Sequence, residues 1–406
     1  MNHLFNDDIL YHVLQHAVES NRNEALTHRA QREALYTYAL VSRIWSRIAQ
    51  SLLFRHVFLQ IRTAMLAFLE VVNHNTQRGR RLASYVQVAT IKLSRAKESF
   101  DPLSLPMIHT RHLPALLAHL PSLHELRLRM GEQSFVEKEL SSMRRLSSIR
   151  VLTLSNAGPG YQQALEIPKI VDTWSGLQSL ILEARSDPPG TLPLPSFTLR
   201  EFHEPTNFGY TPPETIKWIL KCSVGILEHC TFSAMPFVGD LRTAISEHFS
   251  TIQSLTLGHV QWDEELCNAL CSFANLIELR IVQIIVLMGP RFPGKLPNTL
   301  QHLTFVVPAY KEPLSPHRDI EFKTTIPTQL KSYATIIHKT DYRPENLMYE
   351  PFATWVKEYE QACRHMGVDV RPNFLRVSNP YGGELAFLEL SKSCNAYRST
   401  QWPRSH

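Results

Sequence analysis

One apolar pattern recurs along most of this chain and limits what it can fold into. It reads apolar-x-x-apolar-x-x-apolar-x-apolar, with clear copies at Leu120, Leu123, Leu126, Leu128, at Leu146, Ile149, Leu152, Leu154, and at Trp174, Leu177, Leu180, Leu182. Others stand at Val224, Leu227, Cys230, Phe232, at Phe249, Ile252, Leu255, Leu257, at Phe273, Leu276, Leu279, Ile281, and at Pro297, Leu300, Leu303, Phe305. Weaker copies are Tyr85, Val88, Ile91, Leu93, then Leu199 with Phe202, and Leu330 with Tyr333. The second apolar position falls at residues 88, 123, 149, 177, 199, 227, 252, 276, 300 and 330, about 27 residues apart on average. The closing apolar-x-apolar predicts a short strand with alternate residues turned inward. About 15 residues remain before the next copy, enough to return as a helix. Each packet is too small to close by itself, so neighbouring copies must cover it.

The spacing and pattern resemble leucine-rich repeats. Two of the returns carry helix-start signals: Thr211 before Pro212 and Pro213, and the acidic run Asp263, Glu264, Glu265 before Leu266. The asparagine or cysteine usual three residues after the last leucine is absent, for Gly131, Ala157, Arg185, Val260, Ile284 and Pro308 stand there. The repeats are therefore similar to the irregular intracellular kind, and the turns need another source of hydrogen bonds. The fold expected is α/β, a leucine-rich-repeat solenoid of parallel strands alternating with helices over residues 85–340. A C-terminal cap over 341–390 follows, with a helix over 345–366 carrying Leu347, Phe352, Trp355, Val356 and Tyr359, and a short last strand at 368–370. Residues 391–406 read as a tail.

The first sixty residues follow a helical period instead. Asn6 is a candidate cap for a helix carrying Ile9, Leu10, Val13, Leu14, Ala17 and Val18. Residues 20–34 are polar and predict an inserted loop or a short solvated helix. Apolar pairs then fall at Leu40-Val41, Ile44-Trp45, Ile48-Ala49 and Leu52-Leu53, which give a wide apolar stripe. A segment of about fifty residues buries surface poorly alone, so part of the stripe is expected to meet another protein.

Three blocks here resemble the F-box: residues 4–10 (Leu4-Phe5-Asn6-Asp7-Asp8-Ile9-Leu10), 40–45 (Leu40-Val41-Ser42-Arg43-Ile44-Trp45) and 53–57 (Leu53-Phe54-Arg55-His56-Val57). Phe5 stands where the family has proline, and Ser42 where it has cysteine. The resemblance implies an α-helical F-box over 1–60 that docks on a Skp-type adaptor, held in turn by a cullin scaffold. Leu4, Ile9, Leu10, Leu40, Val41, Trp45, Leu53 and Phe54 would form or support that contact. It further implies a substrate receptor of an SCF-type ubiquitin ligase, similar to many fungal F-box proteins. The other reading is a repeat scaffold in which this segment only caps the open end of the array. Residues 61–84 link the two parts or begin the solenoid.

Charge and composition exclude other classes. The net charge of +5 is too mild to announce a nucleic-acid binder, and residues 42–95 hold nine of the Lys and Arg against Glu70 alone. With 15 glycines in 406 residues, few places exist where backbone can wrap a phosphate. No apolar stretch approaches the length of a membrane span, the N-terminus is acidic, and six cysteines make no disulfide framework. The expected setting is cytoplasmic or nuclear, without nucleic-acid or membrane partners.

The catalytic and metal motifs in the sequence are incomplete. Residues 289–295 read G-x-x-x-x-G-K, but Leu296 follows instead of Ser or Thr, and Pro290 and Pro293 remove backbone donors. Cys267 and Cys271 lack a second pair, and no H-E-x-x-H or G-x-S-x-G occurs. No catalytic residue, cofactor or metal site is expected. Strand alternation instead turns one row of polar residues outward as a target surface, including Arg127, Arg129, Thr153, His203, His229 and Arg280. The two arginines suit a carboxylate or phosphate through bidentate hydrogen bonds.

Overall fold

The computed structural model describes residues 7–19, 27–93, 107–131, 134–144, 148–156, 167–184, 193–204, 211–232, 238–258, 260, 264–282, 291–292, 295–308, 321–322, 327–339 and 360–376. The chain divides into two compact units, residues 1–163 with 169–177, and residues 164–168 with 178–406.

The first unit opens with three helices, α1 (Asp7–Glu19), α2 (Thr27–Ala39) and α3 (Arg43–Arg55). Of the two readings of the polar stretch, an inserted loop or a short solvated helix, the helix holds from Thr27, where α2 begins. Leu40 and Val41 differ, for they lie in the turn between α2 and α3 and not on a helix. The cause is Ser42, whose side chain accepts the N–H of Trp45 and caps α3, which starts at Arg43, two residues after Val41. The chain continues through β1 (His56–Leu59), α4 (Arg62–Val71), α5 (Gln77–Tyr85), β2 (Val88–Lys92), α6 (Leu113–Ala118), β3 (Glu125–Met130), α7 (Glu137–Met143) and β4 (Val151–Asn156). These four strands are parallel and adjacent in sequence order.

The sheet begins before the repeat pattern does. Val57 and Leu59 of β1 pair with Ala89 and Ile91, and all four are buried. The copy read at Tyr85, Val88, Ile91 and Leu93 is also two residues late. Ala89 faces Leu126 and Ile91 faces Leu128, so the inward set is Ala83, Val86, Ala89 and Ile91. Two alanines at core positions hid it. Between β1 and β2, α5 packs so closely on its entry turn that a Cβ on Gly79 would lie 2.0 Å from the Asn73 carbonyl oxygen.

In the second unit the strands are β5 (Ser179–Glu183), β6 (Glu201–Glu204), β7 (His229–Phe232), β8 (Ser254–Gly258), β9 (Glu278–Val282), β11 (His302–Pro308), β13 (Ser332–Lys339) and β14 (Asp369–Arg376). They too are parallel and follow sequence order. A separate two-residue pair joins β10 (Arg291–Phe292), which lies within the G-x-x-x-x-G-K match, to β12 (Glu321–Phe322). Helix α8 (Ile167–Val171) is shared between the two units, and α9 (Pro213–Leu220), α10 (Val238–Ile245) and α11 (Glu264–Cys271) fall between strands of the second. Pro213 opens α9 as expected, but the cap is Pro212 and not Thr211. The expected last strand at 368–370 is the start of β14, and residues 360–365 are helical. The rest of the expected closing helix lies outside the described residues.

The core is a set of rows. Leu180, Phe202, Cys230, Leu255, Leu279, Leu303 and Tyr333 stand in register across β5 to β13, and all are buried. Each such side chain contributes on the order of 1.5–3 kcal/mol by leaving water. The turns, lacking an asparagine ladder, are held by backbone. Carbonyls of Gln87, His124, Gln178, Arg200, Glu228, Gln253, Ile277 and Gln301 each accept two successive N–H groups at the entry of the next strand. That repeated double acceptance fixes strand register without a dedicated side chain. The result is a leucine-rich-repeat-like α/β fold of strands alternating with helices.

Candidate functional site

The three N-terminal helices carry more apolar surface than their small core can cover. Leu10, Leu14 and Ile48 form that core, with Tyr11, Tyr38, Trp45 and Leu52 packed against it. Left outside are Ile9 at 57% exposure, Val13, Tyr36, Leu40 at 87%, Val41 and Ile44. Ile9 and Val13 are one helical turn apart on α1, as are Leu10 and Leu14 on its buried side. Exposed apolar side chains gathered on one small module mark an interaction surface.

The eight residues assigned to adaptor docking therefore split. Ile9, Leu40 and Val41 are open to a partner. Leu10 is 3% exposed and belongs to the core, and Trp45 packs against it with its ring 5.9 Å from that of Tyr38. Phe54 packs on Val72, Leu82 and Ala83, Leu53 is half-buried, and Leu4 lies outside the described residues. Val13, Tyr36 and Ile44 join the exposed set. The stripe on α1 and the pair Ile44-Trp45 already contained that signal, but the pattern alone did not say which member of each pair faces out.

The polar face of the sheet is built from outward strand residues, and most of it is internally bonded. In the first unit, Arg127 donates its Nε to Glu125 Oε1 at 2.6 Å, so this guanidinium is already engaged. Arg129 lies over the Phe58 ring at 5.9 Å and is exposed. His56 Nε2 meets Thr90 Oγ1 at 2.9 Å, and Thr153 is buried.

In the second unit the same face alternates acids, imidazoles and hydroxyls. Ser179 donates to Glu201, Ser254 donates to Glu278 at 2.9 Å, His203 Nδ1 meets Thr231 Oγ1 at 2.9 Å, and His302 Nδ1 meets Ser332 Oγ at 2.7 Å. Arg280, only 9% exposed, donates to Glu278. His229 lies 3.8 Å from Glu228. Of the six residues assigned to a target, only Arg127 and Arg129 are substantially open; Thr153 is buried, and His203, His229 and Arg280 face neighbouring polar groups of the same chain. Among the described residues, no group of three His, Cys, Asp or Glu side chains is placed to hold a metal ion. No described helix is long and apolar enough to cross a membrane.

No protein-family model matches the chain, and no curated protein matches it. Among solved structures, it is similar to the crystal structure of a TLR13–ssRNA13 complex at 14% identity and a TM-score of 0.38. That match covers 66% of this chain and 35% of the other, so the chain spans about a third of that neighbour's length. The repeat architecture rests on the sheet order and register themselves.

Proposed function

We propose that this chain is a substrate-recognition subunit of an SCF-type ubiquitin ligase. Its N-terminal F-box-like helices bind a Skp-type adaptor, and through it a cullin scaffold. Its repeats hold a target protein while other subunits transfer ubiquitin, in the cytoplasm or nucleus. The observation that supports this best is the set of exposed apolar residues, Ile9, Val13, Tyr36, Leu40, Val41 and Ile44, on a helical module already closed by its own core. Four of them, Ile9, Leu40, Val41 and Ile44, stand in the blocks that resemble the F-box.

The test is co-expression with a Skp-type adaptor and affinity capture of the pair. Leu40→Asp with Val41→Asp should abolish capture while the variant's melting temperature stays unchanged. Failure of the wild type to capture the adaptor, or equal capture by the variant, overturns the reading.

One observation favours the second reading, a repeat scaffold capped by these helices. The last helix of the module, α3, runs straight into β1, and Phe54 packs on Val72, Leu82 and Ala83 of the first repeat turn. Deletion of residues 1–42 separates the two: a pure cap leaves the repeats aggregated without it, whereas a docking module leaves them folded and deaf to the adaptor.

A further inference from the structure

Two imidazoles that the repeat pattern does not account for meet in the first unit. His74 stands in the turn between α4 and α5, and His119 directly follows α6. Both are half-buried, and their ring centres are 5.1 Å apart. We propose that His74 and His119 form a binding site for a divalent metal ion of the zinc class, with water completing its coordination. The site is independent of the receptor reading, for neither residue lies on a strand or in the three N-terminal helices.

The hydrogen bonds decide which nitrogens can bind. His74 Nε2 donates to the His119 backbone carbonyl at 2.9 Å, and His119 Nδ1 donates to the Ala115 carbonyl at 2.8 Å. A carbonyl oxygen only accepts, so each neutral ring keeps its proton on the bonded nitrogen. His74 Nδ1 and His119 Nε2 are then bare lone pairs, and among the described residues neither has a hydrogen-bond partner. Metal-ligating imidazoles are built this way, the other nitrogen donating to a carbonyl that fixes ring and tautomer. A second pair, His109 and His112 at 5.7 Å, shows the contrast, for His112 Nδ1 already accepts the His109 N–H.

Spacing and donor type select the ion. Metal–nitrogen bonds of about 2.0 Å at the tetrahedral angle put two imidazole centres about 5 Å apart, whereas adjacent corners of a square-planar ion bring them to about 4.5 Å. The observed separation fits the tetrahedral case, hence Zn2+. Among the described residues no carboxylate or thiol joins the pair, so the oxygen ligands that Mg2+ or Ca2+ need are missing. Two protein ligands leave an open site, with waters in the remaining positions. The turn that presents His74 is fixed, since Asn73 Oδ1 accepts the Asn75 N–H at 2.8 Å and Arg80 donates to the His74 carbonyl at 2.6 Å. The two ligands lie 45 residues apart, so no local motif announces them.

The test uses the full chain and zinc chloride, read by isothermal titration calorimetry and by melting temperature. Zinc should bind at one equivalent and raise the melting temperature. His74→Gln and His119→Gln should each weaken binding roughly tenfold or more and cancel the shift. His124→Gln, at an exposed histidine outside the pair, should change neither. Co2+ in place of Zn2+ should give the visible bands of a tetrahedral nitrogen and oxygen site, without a thiolate charge-transfer band. In the wild type, zinc should shield His74 and His119, among 19 histidines, from diethyl pyrocarbonate, a readout that needs no variant to fold. Absence of zinc binding, undiminished binding by His74→Gln or His119→Gln, or loss of binding with His124→Gln overturns the site. So does a thiolate band, labelling of the two histidines in bound zinc, or equal binding of Mg2+.

Discussion

Glu204 Oε1 accepts the backbone N–H of Thr211 at 3.0 Å inside the core of the second unit. Glu204 occupies the inward position that pairs with Phe232 on the next strand, where the clear repeats carry leucine, isoleucine or phenylalanine, and it is 2% exposed. Burial disfavours the carboxylate and raises its pKa from 4.5 to about 8, against the opposing pull of the Thr211 N–H.

A raised folded-state pKa has a definite sign. The protonated acid is the form the fold accepts, so its contribution is complete below about pH 4.5 and is lost as pH climbs toward 8. The slope is up to about 1.4 kcal/mol per pH unit. Glu204→Gln keeps the acceptor for Thr211 and cannot ionise. Thermal unfolding at pH 5.5, 7 and 8.5 should show the wild type losing stability relative to this variant as pH rises. Parallel curves for the two proteins would show that Glu204 does not titrate in the folded chain.

The approach of α5 to its entry turn makes a second prediction. Thr76 caps α5 by accepting the Gly79 N–H at 2.9 Å, and the Asn73 carbonyl occupies the space where a Cβ on Gly79 would sit. The close atom is backbone, which cannot swing aside. Gly79→Ala should therefore cost about 1–3 kcal/mol in urea unfolding, although alanine is the better helix former. A stability gain would mean that the Asn73 turn shifts freely.

Cysteine chemistry follows from the same rows. Cys230 is wholly buried between Phe202 and Leu255, and desolvation pushes its thiol far up. Cys271 is exposed, its thiol raised more modestly by partial burial. An alkylating reagent at pH 8 should label Cys271 in the native chain and reach Cys230 only on unfolding. Native labelling of Cys230 would contradict the continuous core across β6 to β8.

Much of the fold was legible in the sequence because its repeats advertise themselves with leucine at fixed offsets. Where the inward residues are Ala83, Ala89 or Glu204, the pattern fell silent or slipped by two. It could not register that Val57 and Leu59 start the sheet, since a four-residue strand directly after a helix has no turn signal of its own. The polar face was legible only as alternation. That Arg127 folds back on Glu125, and that Lys92 meets Arg129, depends on strand register, which backbone bonds at each strand entry decide.

Adjacent residues on α1 should answer differently to substitution. Leu10 is packed with Leu14 and Ile48, so Leu10→Ala should cost about 2–5 kcal/mol, a large share of what a three-helix module can hold. Ile9 and Val13 face water, so Ile9→Ser with Val13→Ser should change unfolding free energy by no more than about 0.5 kcal/mol per site. Adaptor capture should fall with both, but for separable reasons. Lowering the temperature should restore capture by Leu10→Ala, because folding is its defect, and should not restore it for the serine pair, because the contact itself is gone. If the serine pair captures adaptor as well as wild type, docking does not use α1.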